Sequence, residues 1–269
     1  MSIFPNQPNH DTTYKKTVSS TLDHRRLFSS VGAFLLTIAM VVVFFISQLV
    51  GVYIASKLIL PAADKLSVSE LFSLGSSQGT VISVSILISA VLLIVVTFFM
   101  VHLKGGNVKQ YLKLHSFSLG IGIRMLGWLV VFMVGSELLT AVLDKTPLVF
   151  MDPLYQSVSS VWLLTFALVI VAPFYEELVF RGLLWSAISE QFLTSVNSEK
   201  TAAVIASIVT SIIFATIHVQ YGWYEISSIV VLALIFCYAR IKSGSLLLCI
   251  LLHSINNGVA MVLYLTQVT

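Results

Sequence analysis

Several stretches of this sequence run for roughly 20 residues without a charged side chain, the length of α-helix that crosses a hydrocarbon layer of about 30 Å. Only 10% of the 269 residues are charged, whereas an ordinary soluble domain has about 25% charged residues. These two features exclude a soluble enzyme. The sequence therefore predicts an all-α protein, a polytopic transmembrane helical bundle of about seven to eight membrane helices.

The apolar stretches divide the chain into three parts. We predict a polar cytoplasmic tail at residues 1–30, N-terminal membrane helices at 31–150 and a C-terminal membrane core at 151–269. The individual spans are expected at residues 31–55, 80–101, 123–141, from Trp162 onward, 202–217, 226–238 and 245–266. Residues 186–200 alternate apolar and polar side chains, which is typical of a helix that lies along the membrane surface.

Basic residues indicate the orientation of these helices. The loop between the second and third spans carries Lys104, Lys109 and Lys113 without an acidic residue, whereas the loops before and after it mix lysine with acid. Positive-inside counting therefore puts the N-terminus and this loop in the cytoplasm. The compact chain with short loops favours the inner (plasma) membrane of a bacterium. The net charge of +3 forms no basic stripe, so nucleic acid is not an expected partner.

Charged side chains inside the bilayer are the residues that need an explanation, because each costs about 2.5–3.5 kcal/mol on insertion scales. The polar residues of the C-terminal spans are Glu176, Glu177, Arg181, His218, His253, Asn256 and Asn257. Glu177 lies one turn before Arg181, in the favourable orientation for an ion pair, and Glu176 lies about 100° away. The unpaired carboxylate is suited to act as a general base. Alternatively, all three groups form a salt-bridge cluster that only fixes helix packing.

Two further spans supply imidazole and amide groups. Phe214 and His218 share a helix face, where the imidazole can accept a proton, hold a water molecule or bind a metal. His253 and Asn257 share a face of the last span, and two donors aimed at one point would form an oxyanion hole. Taken singly, His218 would more often be a core histidine, and Asn257 a contact between helices. Together with the carboxylates they indicate hydrolysis.

The three motifs resemble those of the CPBP (CAAX protease and bacteriocin-processing, or Abi) family of intramembrane proteases. The family pattern is EExxxR, then FxxxH, then HxxxN or HxxxD, on successive membrane helices. The chain reads Glu176-Glu177-Leu-Val-Phe-Arg181, Phe214-Ala-Thr-Ile-His218 and His253-Ser-Ile-Asn-Asn257. The resemblance covers about residues 153–265, so residues 151–269 would form the CPBP catalytic core.

The resemblance implies an endopeptidase that hydrolyses a peptide bond of a membrane-associated protein or of a prenyl or peptide substrate. By similarity, Glu176 would activate the attacking water with assistance from His218. His253 and Asn257 would stabilise the oxyanion. The supporting residues would be Phe214 and the pair Glu177 and Arg181, in which the arginine orients the glutamate.

An older interpretation makes the family zinc metalloproteases, with zinc held here by His218, His253 and either Glu176 or Glu177. Two imidazoles and two carboxylates are a sufficient ligand set for zinc. Against zinc, the ligands would have to converge from three separate helices, and no HExxH pair is present. We therefore favour a mechanism without a metal or other cofactor, and zinc stays the alternative.

Two other classes of protein fit the same residues. In a small transporter or channel, the glutamates and histidines would form a proton or cation relay, although only Pro173 breaks a span. In a non-catalytic scaffold, they would only hold the bundle together. Cys237 and Cys249 lie in apolar stretches and support neither a disulfide framework nor a thiolate zinc site. The expected partners are membrane lipid and a peptide or protein substrate.

Two features need a further explanation: the depth of His218, and Glu137, which has no place in the family pattern. Counted at about 1.5 Å per residue from the start of its span, His218 lies roughly 10 Å too deep to meet Glu176 and His253 below the cytoplasmic surface. Glu137 in the third span would contact Arg124, line a water path or lie near the outer interface. In addition, the turn at residues 220–225 would touch a substrate or form part of an interfacial aromatic belt.

Overall fold

The computed structural model describes residues 26–61, 63–145 and 149–268. Within these ranges every regular element is a helix and no strand is present. Seven of the helices are long and apolar enough to cross a membrane. The predicted polytopic helical bundle is therefore confirmed, and the chain is an integral, multi-pass membrane protein. Residues 1–25 of the predicted tail lie outside the described residues.

Short helices and turns connect the seven spanning helices. The spanning helices are α1 (Ser30–Ile59), α3 (Gly79–Leu103), α5 (Leu119–Val142), α7 (Val161–Val196), α8 (Glu199–Thr216), α9 (Trp223–Ser243) and α10 (Leu246–Val268). The short helices are α2 (Val68–Gly75), α4 (Val108–Tyr111) and α6 (Met151–Ser157). Several helices extend beyond the predicted spans, because apolar side chains mark only the part of a helix that lies in hydrocarbon.

The turns lie at two ends of the bundle. One end, called the basic end below, carries Lys104, Lys109, Lys113, Arg240 and Lys242. Backbone contacts join its parts: the N–H of Leu246 donates to the carbonyl of Lys113 at 3.0 Å. The N–H of Leu27 donates to a carboxylate oxygen of Glu190 at 3.1 Å. The segment before α1, the loop between α4 and α5 and the start of α10 therefore lie at this end.

The other end, called the opposite end, contains α2 and α6. A capping box begins α2: the Ser67 hydroxyl accepts from the N–H of Glu70 at 3.3 Å, and Glu70 accepts from the N–H of Ser67 at 2.7 Å. The hydrogen bonds from Ser67 hold the pKa of the Glu70 carboxyl below its ordinary value. The Tyr264 hydroxyl of α10 donates to Asp152 of α6 at 2.8 Å. Both short helices are thus fixed by specific polar contacts.

Helices α1 and α3 pack closely and support α7. A Cβ atom at Gly51 would lie 2.7 Å from the carbonyl oxygen of Ser85, so only glycine allows this approach of the two backbones. Nearer the start of α1 than Gly51, the ring of Phe44 packs against Tyr175 at 6.1 Å and against Phe180 at 5.5 Å between ring centres. The α1–α3 pair therefore forms a rigid wall behind the middle of α7.

Residues 185–196 continue α7 and do not form a separate helix, and the position of residues 186–200 along the membrane surface stays a prediction. The whole helix has 36 residues. A Cβ atom at Gly182 would lie 3.2 Å from side-chain atoms of both Leu112 and Leu246, which brings the start of α10 to this level of α7. The residues after Gly182 therefore project beyond the end of α10 and form a hairpin with α8. The alternating pattern arises because one face of this segment packs on α8.

The α7–α8 hairpin also explains the depth of His218. Trp185 Nε1 donates to Ser207 Oγ at 3.0 Å, which puts these two residues at one level of an antiparallel pair. Glu176 precedes Trp185 on α7 by the same number of residues by which Thr216 follows Ser207 on α8. Glu176 and Thr216 therefore also share a level of the hairpin. The expected mismatch of roughly 10 Å is therefore absent, because α8 begins in the projecting hairpin.

Candidate active site

Glu177 and Arg181 of α7 form a fully buried ion pair. Arg181 Nη1 donates to Glu177 Oε1 at 2.8 Å, and both side chains are 0% exposed. His253 Nδ1 of α10 lies 2.9 Å from the same carboxylate oxygen. Because a carboxylate oxygen accepts, the proton of this contact is on Nδ1 of His253. The predicted i,i+4 pair is thus present, and an imidazole from a distant helix extends it.

Aromatic rings surround the Arg181 guanidinium. Its central carbon lies 4.2 Å from the ring centre of Phe214 and 5.5 Å from that of Phe236. Its Nε and Nη2 atoms have no hydrogen-bond partner among the described residues. Phe214 also contacts His218 and His253 edge-on, at 4.8 and 5.8 Å between ring centres. The phenylalanine of the second motif therefore holds the cation and both imidazoles in place.

Glu176 faces a cavity in the centre of the bundle. The residue is only 9% exposed, and it lines the cavity. Its Oε2 atom lies 3.8 Å from Nε2 of His253, which is beyond hydrogen-bond distance but close enough for both atoms to bind one water molecule. The adjacent glutamates therefore differ as predicted, since Glu177 is paired with a cation and Glu176 is not.

His218 lies just after the last residue of α8, and not inside a helix as the apolar stretch predicts. Its side chain turns back, and Nδ1 lies 2.7 Å from the carbonyl oxygen of Phe214. A carbonyl oxygen only accepts, so Nδ1 carries the proton and Nε2 of the neutral ring is an acceptor. The hydrogen bond that caps α8 thus leaves His218 with a basic nitrogen.

A break in the α-helical pattern of α7 explains the position of Asn257. The helix is π-helical over Ala167–Val171 and again over Leu178–Leu184. In the π register the carbonyl of Leu168 would accept from residue 173, but Pro173 has no N–H. Asn257 Nδ2 donates to this carbonyl at 3.0 Å. The side chain of α10 therefore supplies the hydrogen bond that proline cannot make.

The two residues expected to bind an oxyanion are close to the glutamates, and each has a structural partner. One ring nitrogen of His253 contacts Glu177 and the other faces Glu176. One N–H of Asn257 bonds to the α7 backbone, and its Oδ1 accepts from Asn256 at 3.3 Å. The second N–H of Asn257 is the amide donor that is left for a ligand, because Asn257 lines the cavity.

The cavity has a volume of about 360 Å³ and extends from Glu176 toward the opposite end. Its polar lining includes Glu137, Glu176, His218, Glu225, His253 and Asn257. Among the described residues, neither lysine nor arginine lines it. Glu137 thus belongs to the cavity wall, and the 220–225 turn contributes Gln220, Tyr221, Tyr224 and Glu225. Carboxylates without a fixed cation give the cavity an acidic character.

Two further aromatic residues shape the site: Tyr224, which belongs to the 220–225 turn considered in the sequence, and Phe236, which was not singled out there. Phe236 of α9 stacks on the imidazole of His253, with ring centres 5.0 Å apart and planes at 30°. The Tyr224 hydroxyl lies 2.6 Å from Thr140 Oγ1 and links α9 to α5 at the cavity wall. Phe236 lies in an apolar helix, where an aromatic residue gives no signal that separates a site from ordinary packing.

The side chains do not form a metal site that is ready to bind. Within the described residues, no group of three or more histidine, cysteine, aspartate or glutamate side chains is placed to hold a metal ion. Glu177 is engaged by Arg181, whereas Nδ1 of His218 bonds to a backbone carbonyl and leaves Nε2 as the free donor atom of that ring. The metal-free mechanism and its zinc-dependent alternative both stay predictions.

Comparison with known proteins gives two matches. The model of the family described as type II CAAX prenyl endopeptidase Rce1-like matches residues 158–259, which include all three motifs. A relative named as an uncharacterized 24.3 kDa protein of Escherichia coli is 30% identical over 132 residues, which are 48% of this chain. The aligned part spans 58% of that relative's length. No solved structure gives a significant match.

The family match covers α7 to the middle of α10, the helices that carry the two glutamates, both histidines and Asn257. The resemblance indicated by the motifs is therefore confirmed over residues 158–259, which are similar to the type II CAAX prenyl endopeptidase Rce1-like family.

Proposed function

We propose that this chain is an intramembrane endopeptidase of the CAAX-protease type, with Glu176 as the base that activates water. The observation that carries this proposal is the contrast between the two adjacent glutamates. Glu177 is neutralised by Arg181, whereas Glu176 is nearly buried, lacks a cation and faces a cavity that both histidines also line. A carboxylate that has no counter-ion and faces a cavity is free to take a proton from a bound water molecule, as a general base must.

In the proposed reaction, Glu176 takes one proton from a bound water molecule as the water oxygen attacks the carbonyl carbon of the substrate. His218 assists with its unprotonated Nε2, which accepts a hydrogen bond from the same water. When the tetrahedral intermediate collapses, the C–N bond breaks and the proton passes from Glu176 to the leaving amine. The products are a carboxylic acid and an amine, so no redox partner is needed.

The remaining residues position the reacting groups. Glu177 holds the imidazole of His253 through Nδ1, and Arg181 holds Glu177. A second proton, on Nε2, would make His253 an imidazolium during the reaction, and this N–H would point toward Glu176 and the developing oxyanion. The free N–H of Asn257 supplies the second oxyanion donor. Because α7 provides Glu176 and α10 provides both donors, the relative position of these two helices sets the geometry of the reaction.

The family also indicates the kind of partner. We propose that the substrate is a peptide or protein segment in the membrane and that membrane lipid surrounds the bundle. The charge distribution along the chain supports an N-terminus in the cytoplasm, and the short loops support the inner membrane of a bacterium. The zinc-dependent alternative would use His218, His253 and Glu176, and it requires these side chains to move together.

The experiment that tests the proposal is cleavage of a quenched-fluorescent peptide library by detergent-purified protein. We expect Glu176→Gln to abolish cleavage and Glu70→Gln to retain it, because Glu70 lies in α2 and glutamine still completes a capping box. Wild-type activity should survive exhaustive chelation with metal analysis. If chelation abolished cleavage and added zinc restored it, the zinc-dependent mechanism would replace the metal-free one. If the wild type and all variants cleave no peptide, and a separate assay detects ion flux or partner binding, the protease proposal is overturned.

A further inference from the structure

A second cavity, of about 380 Å³, lies at the basic end between the α7–α8 hairpin and the end of α9. It shares no lining residue with the cavity that contains Glu176. Its charged lining residues are Lys113, Glu199, Lys200 and Arg240. Three cations against one carboxylate make this cavity basic, in contrast to the acidic cavity of the candidate active site.

Arg240 is the buried cation of this cavity. The residue is 3% exposed, its Nη2 atom donates to Ser186 Oγ at 3.0 Å, and its guanidinium lies 5.0 Å from the ring of Trp185. Its Nε and Nη1 atoms have no hydrogen-bond partner, and no carboxylate of the described residues lies within ion-pair distance of it. Burying a cation without a counter-charge costs free energy, and a bound anion would offset that cost. The surroundings of Arg240 therefore favour an anion as ligand.

The surroundings of Arg240 favour the same kind of ligand. Lys113 and Lys200 are exposed beside it, where their ammonium groups can reach an anion from the solvent side. The first turn of α8, which begins after the N-cap Ser198, also lines the cavity and adds the positive end of an 18-residue helix. Buried donors, mobile cations and a helix N-terminus together suit a group with several charged oxygens.

We propose that this cavity binds a phosphate group at the basic end of the bundle. The phosphate would belong to the headgroup of an anionic lipid, which basic pockets between membrane helices bind, or to a soluble phosphate compound, since arginine pairs with phosphate oxygens in either. Arg240 and its two free donor nitrogens contact the phosphate oxygens, and the two lysines add charge at the entrance. This site does not depend on the proposed protease activity.

The test measures the unfolding temperature of the detergent-purified full chain with short-chain phosphatidylglycerol, short-chain phosphatidylcholine or inorganic phosphate. We expect phosphatidylglycerol to raise it and phosphatidylcholine to leave it unchanged. A rise with phosphatidylglycerol alone assigns the site to a lipid headgroup, and a rise with inorganic phosphate as well assigns it to phosphate in general. If neither phosphatidylglycerol nor inorganic phosphate raises the unfolding temperature, the proposed phosphate site does not exist.

Variants locate the binding. Arg240→Met should abolish the response, and Lys113→Asn with Lys200→Gln should weaken the affinity about 25-fold, at about fivefold for each surface lysine. Lys104→Gln with Lys109→Gln is the matched control, because these exposed lysines lie at the same end but outside the cavity. An equal loss of affinity in both double variants would overturn the proposal. The lysine pairs decide the question even if Arg240→Met does not fold.

Discussion

Glu176 and Glu177 are neighbours in the sequence but have different surroundings, and replacing each with glutamine should separate their roles. Glu176→Gln should remove peptide cleavage with little change in stability, because no cation is left unpaired. Glu177→Gln should lower the free energy of unfolding by about 3–5 kcal/mol, since Arg181 then keeps its buried charge without a counter-charge. Denaturant unfolding in detergent micelles, followed by tryptophan fluorescence, measures the difference.

A second pair of variants controls for the loss of charge. In Glu177→Met with Arg181→Met, both charges are gone, and stability should recover part of what Glu177→Gln loses. If Glu176→Gln and Glu177→Gln destabilised the protein equally, the three charges would act as one structural cluster. The general-base role of Glu176 would then have no structural support.

The contacts of these residues show which parts of the site the sequence could predict. The pair Glu177 and Arg181 is local, so a spacing of four residues in a helix was sufficient. The contact between Glu177 and His253 joins residues 76 positions apart, and no helical period encodes it. The role of Phe236 is harder still to predict, because an apolar helix contains many aromatic rings. Only the packing of α9 on α10 shows that this ring contacts His253.

The π-helical break of α7 couples two helices through a single hydrogen bond, and a double-mutant cycle can measure it. Asn257→Ala leaves the carbonyl of Leu168 without a donor, so it should cost about 1–3 kcal/mol of stability. In a Pro173→Ala background residue 173 has an N–H, which can bond to that carbonyl. Asn257→Ala should then cost much less. The measurement is the free energy of unfolding of the four proteins of the cycle.

Equal costs of Asn257→Ala in the two backgrounds would contradict this explanation of the break. The cycle also bears on the reaction, because it changes the contact that fixes Asn257. In Pro173→Ala with Asn257 intact, the amide is released from the backbone, so cleavage activity should change more than stability does. Asn256→Ala is the comparison variant on α10, since it removes the hydrogen bond to Asn257 Oδ1 and leaves the bond from Asn257 to the Leu168 carbonyl in place.

The amphipathic segment at the end of α7 shows a limit of sequence patterns for whole elements. Residues 186–200 have one apolar face, and a membrane surface and a neighbouring helix can both cover such a face. The structure gives this role to α8, which packs along the segment and bonds to it through Trp185 and Ser207. Hydropathy alone was sufficient to predict that the spans exist. Predicting this hairpin would have required knowing which helices pack against each other.

The described part of the bundle has two chemically different ends, and the cavity with Glu176 and the cavity with Arg240 lie toward different ends. The cavity with Glu176 extends toward the end that contains α2 and α6, whereas the cavity with Arg240 lies at the basic end. Positive-inside counting predicts that the basic end is cytoplasmic. In that orientation, Arg240 would meet the anionic phosphates of the inner leaflet, and a substrate segment would approach Glu176 from the outer half of the membrane.

Cysteine labelling of intact cells tests this orientation directly. The native residues Cys237 and Cys249 are 0% exposed, so they should give little background. Ser76→Cys, at the end of α2, should react with a membrane-impermeant maleimide, because it is exposed at the opposite end. Lys109→Cys, exposed at the basic end, should react only after the cells are permeabilised.

The reverse labelling pattern would place the basic end outside the cell. The prediction of a cytoplasmic N-terminus would then be wrong, and the approach of substrate to Glu176 would have to be assigned to the cytoplasmic side. Labelling of both positions in permeabilised cells is the necessary control, because it shows that both cysteines are reactive. The outcome therefore decides from which side of the membrane a substrate segment reaches the acidic cavity.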